Sequence, residues 1–405
     1  MRLQNRVLLN AHQIKKLLNF ISCSKYNNNE FTNMNFEFSE EQLMLRDQAR
    51  GFLAEHCPTR VVRTILDSDA DYDATLWHRV ASMGWTATVI PEAYGGLGLS
   101  YYELAIIAEE LGRSVAPIPF ASSVYLATEA LLAFGSEAQK QCWLPKLASG
   151  EVIGTVALTE SAGRLDAGSI GTHFNNGVLN GCKLPVADGS IADIAIVLAS
   201  DNDGVSLYLV ELADACVHRE AVRTVDPSRG LASLSFDGAA AELLGEPGAG
   251  VAAVEQLQDR AAVLFAWEQV GIADAALEQA KQYALDRFAF GRPIGSYQAI
   301  KHKLVNVYVK NTLARSNGYY GAWALEANGP ELKQAAATAR VAAIQAATFA
   351  AEENIQTHGG MGFTWEFDCQ FYYRRAKLLS LVIGSEAYWQ NRLVDALAAD
   401  RCASA

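Results

Sequence analysis

The sequence is short of charge, and it lacks the features that would place it on a nucleic acid, in a membrane or around a metal. Charged residues make up 19% of its 405 positions and the net charge is −12, so there is no basic footprint of the kind a phosphate backbone demands. No run of eighteen apolar residues occurs, which excludes a spanning helix. Seven cysteines, at 23, 57, 142, 182, 216, 369 and 402, form no C-x-x-C pair and no Cys/His cluster at ligand spacing. They read as free thiols in a reducing compartment, with no metal site. No repeat of solenoid length appears. The low charge fits a surface partly hidden in subunit contacts.

What is present is bulk. With 50% hydrophobic residues the chain can bury two or three packed units. Residues 1–33 stand apart: Arg2, Arg6, Lys15, Lys16 and Lys25 face one acid, Glu30. This composition fits a transit peptide and a mitochondrial matrix location. It equally fits a tail upstream of a biological start at Met34, the reading we favour, with a cytoplasmic location.

From Phe38 to Ser149 the periodicity is helical. Ser39 precedes Glu40, Glu41 and Gln42, a cap followed by acids in a first turn. From Val152 to about Glu246 the pattern becomes period two. Short strands are expected at 152–158, 178–179, 194–198, 205–210 and 231–236, and Asn176-Gly177 and Asp203-Gly204 read as hairpin turns. From Gly248 helical character returns, with Ala261 to Val270 apolar almost all round, as in a buried bundle helix. The fold class is therefore α+β: an N-terminal helical domain over 34–151, a small β-barrel or sheet domain over 152–246, and a four-helix bundle over 247–405.

Two stretches carry chemistry. Tyr283 to Lys303 reads as a helix, a Gly/Pro break and a second helix, presenting Arg287, Phe290, Arg292 and Gln298 at one bend. A guanidinium fork beside an amide suits a diphosphate, although a hairpin with solvated arginines has the same spacing. Gln356-Thr357-His358-Gly359-Gly360-Met361-Gly362-Phe363-Thr364 would let backbone approach a phosphate or an adenine, or simply end a helix.

Both blocks resemble signatures of the acyl-CoA dehydrogenase family, as do I-P-E-A-Y-G-G-L-G-L-S at Ile90 to Ser100 and Ala157-Leu158-Thr159-Glu160. The resemblance spans roughly residues 36 to 397. It implies FAD, with Arg287, Phe290, Gln298, Gln356, Gly359 and Gly360 serving a neighbouring subunit's cofactor and Leu158, Thr159 and Ser385 facing the flavin. It further implies an acyl-CoA substrate, a homo-oligomer (dimer or tetramer) or a paralogous partner subunit, and an electron-transfer flavoprotein as acceptor.

The match thins at the proton acceptor. Where the family carries Glu in Y-E-G-T this chain has Ile383, which cannot take a proton. Two bundle acids are the candidates: Asp259, directly ahead of Arg260, and Glu268, in an otherwise apolar segment where desolvation would favour a base. Glu386 is a weaker third. The segment from Thr159 to Asp166 lacks the family's Gly-Ser pair, and Pro185 and Ala187 stand for its Trp and Thr. These departures resemble the degenerate chains of heteromeric dehydrogenases. Three readings follow: a dehydrogenase with a displaced carboxylate, a subunit that holds FAD for a partner, and a scaffold that binds neither ligand. Retention of the two glycine-rich blocks argues against the third.

Overall fold

In the computed structural model, residues 38–68, 70–161, 168 and 170–403 are described, the last few in backbone only. Residues 1–33, and Ala162 to Asp166 of the altered Thr159–Asp166 segment, lie outside them.

The chain opens with helices α1 (Glu40–His56), α2 (Thr59–Leu66), α3 (Ala74–Ser82) and α4 (Tyr101–Arg113), a π-helical turn (Ala121–Thr128) running into α5 (Glu129–Phe134), and α6 (Glu137–Ser149). The expected start at Ser39 is a full capping box: its hydroxyl accepts the Gln42 N–H and the Gln42 side chain accepts the Ser39 N–H. Ser100 with Glu103 and Ser136 with Gln139 repeat the device, each satisfying two backbone donors that a helix start leaves open.

Strands β1 (Gly154–Ala157), β2 (His173–Asn175), β3 (Val178–Ala187), β4 (Ile194–Asp201), β5 (Gly204–Glu211), β6 (Val217–Val222), β7 (Leu231–Ala240) and β8 (Glu242–Leu244) form one sheet. Its order is β6-β7-β3-β2-β4-β5-β8, with β1 parallel to β4. Asn176 and Gly177 both take positive φ, 50° and 87°, between β2 and β3, as a tight primed turn requires. The second turn sits one residue earlier than the sequence suggests, at Asn202-Asp203, because Asp201 pairs with Gly204 and its carboxylate accepts the Asp203 N–H at 2.7 Å.

The helical remainder comprises α7 (Gly250–Asp286), a minute hairpin of β9 (Phe288–Ala289) and β10 (Arg292–Pro293), α8 (Gln298–Ala327), α9 (Leu332–His358), α10 (Cys369–Leu379) and α11 (Glu386–Ala403). Ala261 to Val270 is buried throughout. Helices α4 and α7 meet backbone to backbone. A Cβ on Gly112 would lie 2.0 Å from the Glu268 carbonyl oxygen, and one on Gly271 1.9 Å from that of Glu109. A partly buried ionic web locks this crossing: Arg315 of α8 grips both oxygens of the buried Glu109 at 2.7 and 2.8 Å and reaches Asp274 at 2.7 Å. No described helix is long and apolar enough to cross a membrane.

Candidate functional site

The end of α7 and the end of α9 meet. Tyr283 stacks on His358 with ring centroids 4.2 Å apart, and Phe367 closes on both at 6.0 and 5.0 Å. His358 donates from Nδ1 to the Asn354 carbonyl at 2.8 Å, which leaves Nε2 as the acceptor of a neutral ring, and burial holds its pKa below the usual value. Beside this stack lies a hollow of about 540 Å³ lined by Tyr283, Arg287, Ile294, Thr357, His358, Gly360, Met361 and Thr364. Two sequence blocks some seventy positions apart thus share one surface.

Arg287 is fixed by its backbone, its N–H donating to the Tyr283 carbonyl and its carbonyl accepting from Ile294, both at 2.8 Å. Its exposed guanidinium has no hydrogen bond or ion pair with any described residue. The same is true of the exposed amides of Gln298 and Gln356. Gln298 opens α8, whose cap residue Tyr297 offers no side-chain bond to the first turn; the Ile300 and Lys301 N–H groups donate to the Tyr297 carbonyl, which leaves the Gln298 and Ala299 amides facing outward at the positive end of the helix. Gly359, at φ 59°, and Gly360 have no atom within 4 Å of a notional Cβ.

Phe290 is 97% exposed at φ 52°, followed by Gly291 at 79°. A bulky residue in the left-handed region is a real backbone outlier; here the two-residue turn of the β9–β10 hairpin demands it. Arg292 lies over the Tyr297 ring at 3.9 Å, outside the lining of that hollow.

Leu158 and Thr159 follow β1, outside the lining of that hollow. Their polar groups are partly engaged: the Leu158 carbonyl accepts from Lys183 Nζ at 3.3 Å, and Thr159 bonds Leu184 through backbone and hydroxyl at 2.9 and 3.3 Å. Lys183 is buried and paired with Glu160 at 2.6 Å. Burial would push the Glu160 carboxyl upward, but Lys183 and the N–H groups of Thr172 and Gly171 hold it at about 2. Ser385 is exposed at the start of α11, its hydroxyl accepting the Tyr388 N–H at 3.4 Å.

The two candidate bases fare differently. Glu268 is wholly buried and bound to Arg229 at 2.7 Å and to Arg375 at 3.4 Å, and Arg375 also holds Asp226 at 2.5 Å. Desolvation alone would favour a base here, yet two guanidinium groups offset its charge, and it bolts α7 to the loop before β7 and to α10. Asp259 faces α11, where Arg392 grips both its oxygens at 2.6 and 2.7 Å. Burial raises its pKa to about 6 against the pull of Arg392. Glu386 accepts from Gln345 and Gln390 at 2.7 and 2.9 Å.

Ile383, in the slot where the family resemblance implies a carboxylate, has φ 54°. Arg340, fully buried, donates to Val382 O at 2.9 Å, to Leu379 O and to Gln269 at 2.5 Å, and so supports this turn from below. Burial lowers its pKa to about 9. Sequence reading missed Arg340: a lone arginine in an Ala-rich helix carries no signal until the fold closes.

Residues 39–151 match the family model described as acyl-CoA dehydrogenase, N-terminal domain, and 248–398 the one described as acyl-CoA dehydrogenase, C-terminal domain. The chain is 34% identical to acyl-CoA dehydrogenase IpdE2 of Mycobacterium tuberculosis over 83% of its own length and 91% of that relative. Its fold is similar to butyryl-CoA dehydrogenase of Megasphaera elsdenii, with TM-score 0.84, 26% identity, and coverage of 90% and 100% of the two chains. It is also similar to a chain of the ChsE4-ChsE5 complex of Mycobacterium tuberculosis, with TM-score 0.81, 26% identity, and coverage of 90% and 99%.

Proposed function

The chain belongs to the acyl-CoA dehydrogenase family, FAD-dependent oxidoreductases of lipid catabolism acting on acyl-CoA, and from that premise we propose how this member divides the reaction's work. Each protomer lends Arg287, Phe290, Gln298, Gln356, Gly359 and Gly360 to FAD held by a partner, and offers Leu158, Thr159 and Ser385 to the ring of its own. The domain division at 34–151, 152–246 and 247–405 serves this arrangement.

The observation that carries the reading is a set of three exposed donors, Arg287, Gln298 and Gln356, with no hydrogen bond or ion pair among the described residues, together with an open glycine turn whose Gly360 lines one hollow with Arg287. A diphosphate with an adenine attached suits such a set: a planar fork, two amides and bare backbone. An apolar stripe on α8, Val305, Tyr308, Val309 and Leu313, is exposed at helical spacing, which supports a second bundle as neighbour. That neighbour is a second copy or a paralogous subunit, the latter in keeping with the two-component ChsE4-ChsE5 complex.

When bound, FAD supplies the acceptor for the hydride leaving Cβ of the acyl-CoA. The chain must then remove the Cα proton. Of the two acids, Asp259 keeps the profile of a base, with its pKa held near the working range. Its proton would come off the substrate once Arg392 releases one oxygen. Glu268 is assigned to the domain junction. The outcome is α,β-dehydrogenation to the 2-enoyl-CoA, with an electron-transfer flavoprotein as acceptor.

One observation favours a second reading. Ile383 occupies the carboxylate slot and both acids are ion-paired, as expected of a subunit that holds cofactor while a paralogue supplies the base. Anaerobic titration of the FAD-loaded chain alone with a saturated acyl-CoA decides. Loss of the oxidised flavin band supports the first reading; an unchanged band with FAD retained supports the second; a chain that takes up no FAD removes both.

A further inference from the structure

Segment 359–368 presents the glycine turn, and most of its ties are local. Thr364 Oγ1 donates to Met361 O at 2.9 Å, the Cys369 thiol to Gly362 O at 3.5 Å, and Gln370 Nε2 to Trp365 O at 3.0 Å. One tie crosses from the N-terminal helices. Arg63 of α2 donates to Trp365 O at 2.7 Å, to Glu366 O at 3.3 Å and to Asp368 Oδ1 at 2.5 Å. Its guanidinium also lies 5.0 Å from the Phe371 ring and 6.0 Å from that of Trp365. Arg374 also lies 5.3 Å from the Trp365 ring, and itself donates to Val225 O at 2.9 Å.

The helix that carries Arg63 is weakly founded. It has eight residues, no side-chain cap bond at its start, and Val62 as its buried residue. So short a helix gains most of its order from tertiary contacts, and the fork on segment 359–368 is the strongest polar one it makes. Arg63 therefore orders two things at once, its own helix and the turn beyond Trp365.

We propose that Arg63 is a positioning residue for cofactor binding: it sets the Gly359–Thr364 turn for the partner's FAD and couples α2 to that site. This rests on the reading above, in which the turn faces FAD. Coupling of this kind is reciprocal, so FAD bound at the turn must in return steady Thr59–Leu66, which is joined to segment 359–368 through Arg63. A lysine at 63 keeps the charge but cannot serve two carbonyls and a carboxylate from one plane.

The test uses the full-length assembled protein with FAD as probe. The dissociation constant should rise ~10-fold in Arg63→Ala, the loss of one charge-assisted contact set, and by nearly as much in Arg63→Lys. Hydrogen exchange supplies the readout that a merely structural role would not move. In wild type, FAD should slow exchange in 59–66 as well as 359–364; in Arg63→Lys it should protect 359–364 while leaving 59–66 unchanged. Equal FAD affinity in Arg63→Lys and wild type, or a wild-type α2 indifferent to FAD, overturns the proposal. If wild type binds no FAD, the reading beneath it falls as well; if wild type binds and the variants bind equally, only the role of Arg63 falls.

Discussion

Arg392 of α11 holds both carboxylate oxygens of Asp259 on α7, at 2.6 and 2.7 Å, in a pocket where the acid is 7% exposed. Burial outweighs this attraction and keeps the Asp259 pKa at about 6. The pair is a poised acid more than a firm bolt, and it sets the first prediction.

A base works only when ionised, so flavin reduction by acyl-CoA should fall as pH drops through about 6 and level off above it. Asp259→Asn should cost ~10²-fold or more in rate, the usual share of a general base. The stability effect runs the other way. A carboxyl raised from 3.8 to about 6 contributes stability that is fully present below about pH 4 and is lost as pH rises through 6. A pH profile with no limb near 6, or an unaffected Asp259→Asn protein, assigns the proton elsewhere.

Glu268→Gln should unfold the protein before it alters the chemistry. The change strips the counter-charge from Arg229 and from one side of Arg375, both buried, and breaking such a pair costs about 3–5 kcal/mol. Denaturant titration measures this. A stable variant with lost activity would return Glu268 to the list of bases.

Ile383→Glu places a carboxylate in the slot between Val382 and Gly384, where the backbone turn is already set by Arg340. On the subunit reading, this chain alone should gain acyl-CoA-dependent bleaching that wild type lacks. On the Asp259 reading it should restore activity to Asp259→Asn. No gain in either background means that the turn does not face substrate.

Gly271→Ala should destabilise by about 3 kcal/mol or prevent accumulation, because the new methyl would stand 1.9 Å from the Glu109 carbonyl oxygen and neither helix backbone can yield cheaply. Thermal melting shows it. An unchanged melting temperature would mean that α4 and α7 are farther apart than described.

Much of this was legible in sequence where the cause is local. The Ser39 box, the Asn176-Gly177 turn and the buried run from Ala261 to Val270 follow from residues within a few positions of one another. The two glycine-rich blocks were found as motifs, and the fold brings Arg287 and Gly360 to one hollow. What could not be read depends on distant partners. Nothing near Glu268 announces Arg375, 107 residues on, and nothing near Arg63 announces Trp365, 302 residues on. Strand β6, exposed at most positions, lacks the alternation that marks a half-buried strand, so its sequence does not announce it. The second turn lies one residue before Asp203-Gly204 because the side chain of Asp201, not the glycine, sets it.

The central claim is that Arg287, whose guanidinium has no partner among the described residues, completes a cofactor site in a neighbouring protomer. FAD binding measured together with sedimentation, on wild type and Arg287→Ala, tests it most directly. The account predicts a yellow dimer or larger species for wild type, and for Arg287→Ala the same assembly with FAD held ~10- to 100-fold more weakly, the worth of charge-assisted bonds to a diphosphate. A wild-type protein that sediments as a colourless monomer in excess FAD, or an Arg287→Ala protein that binds FAD undiminished, would contradict it.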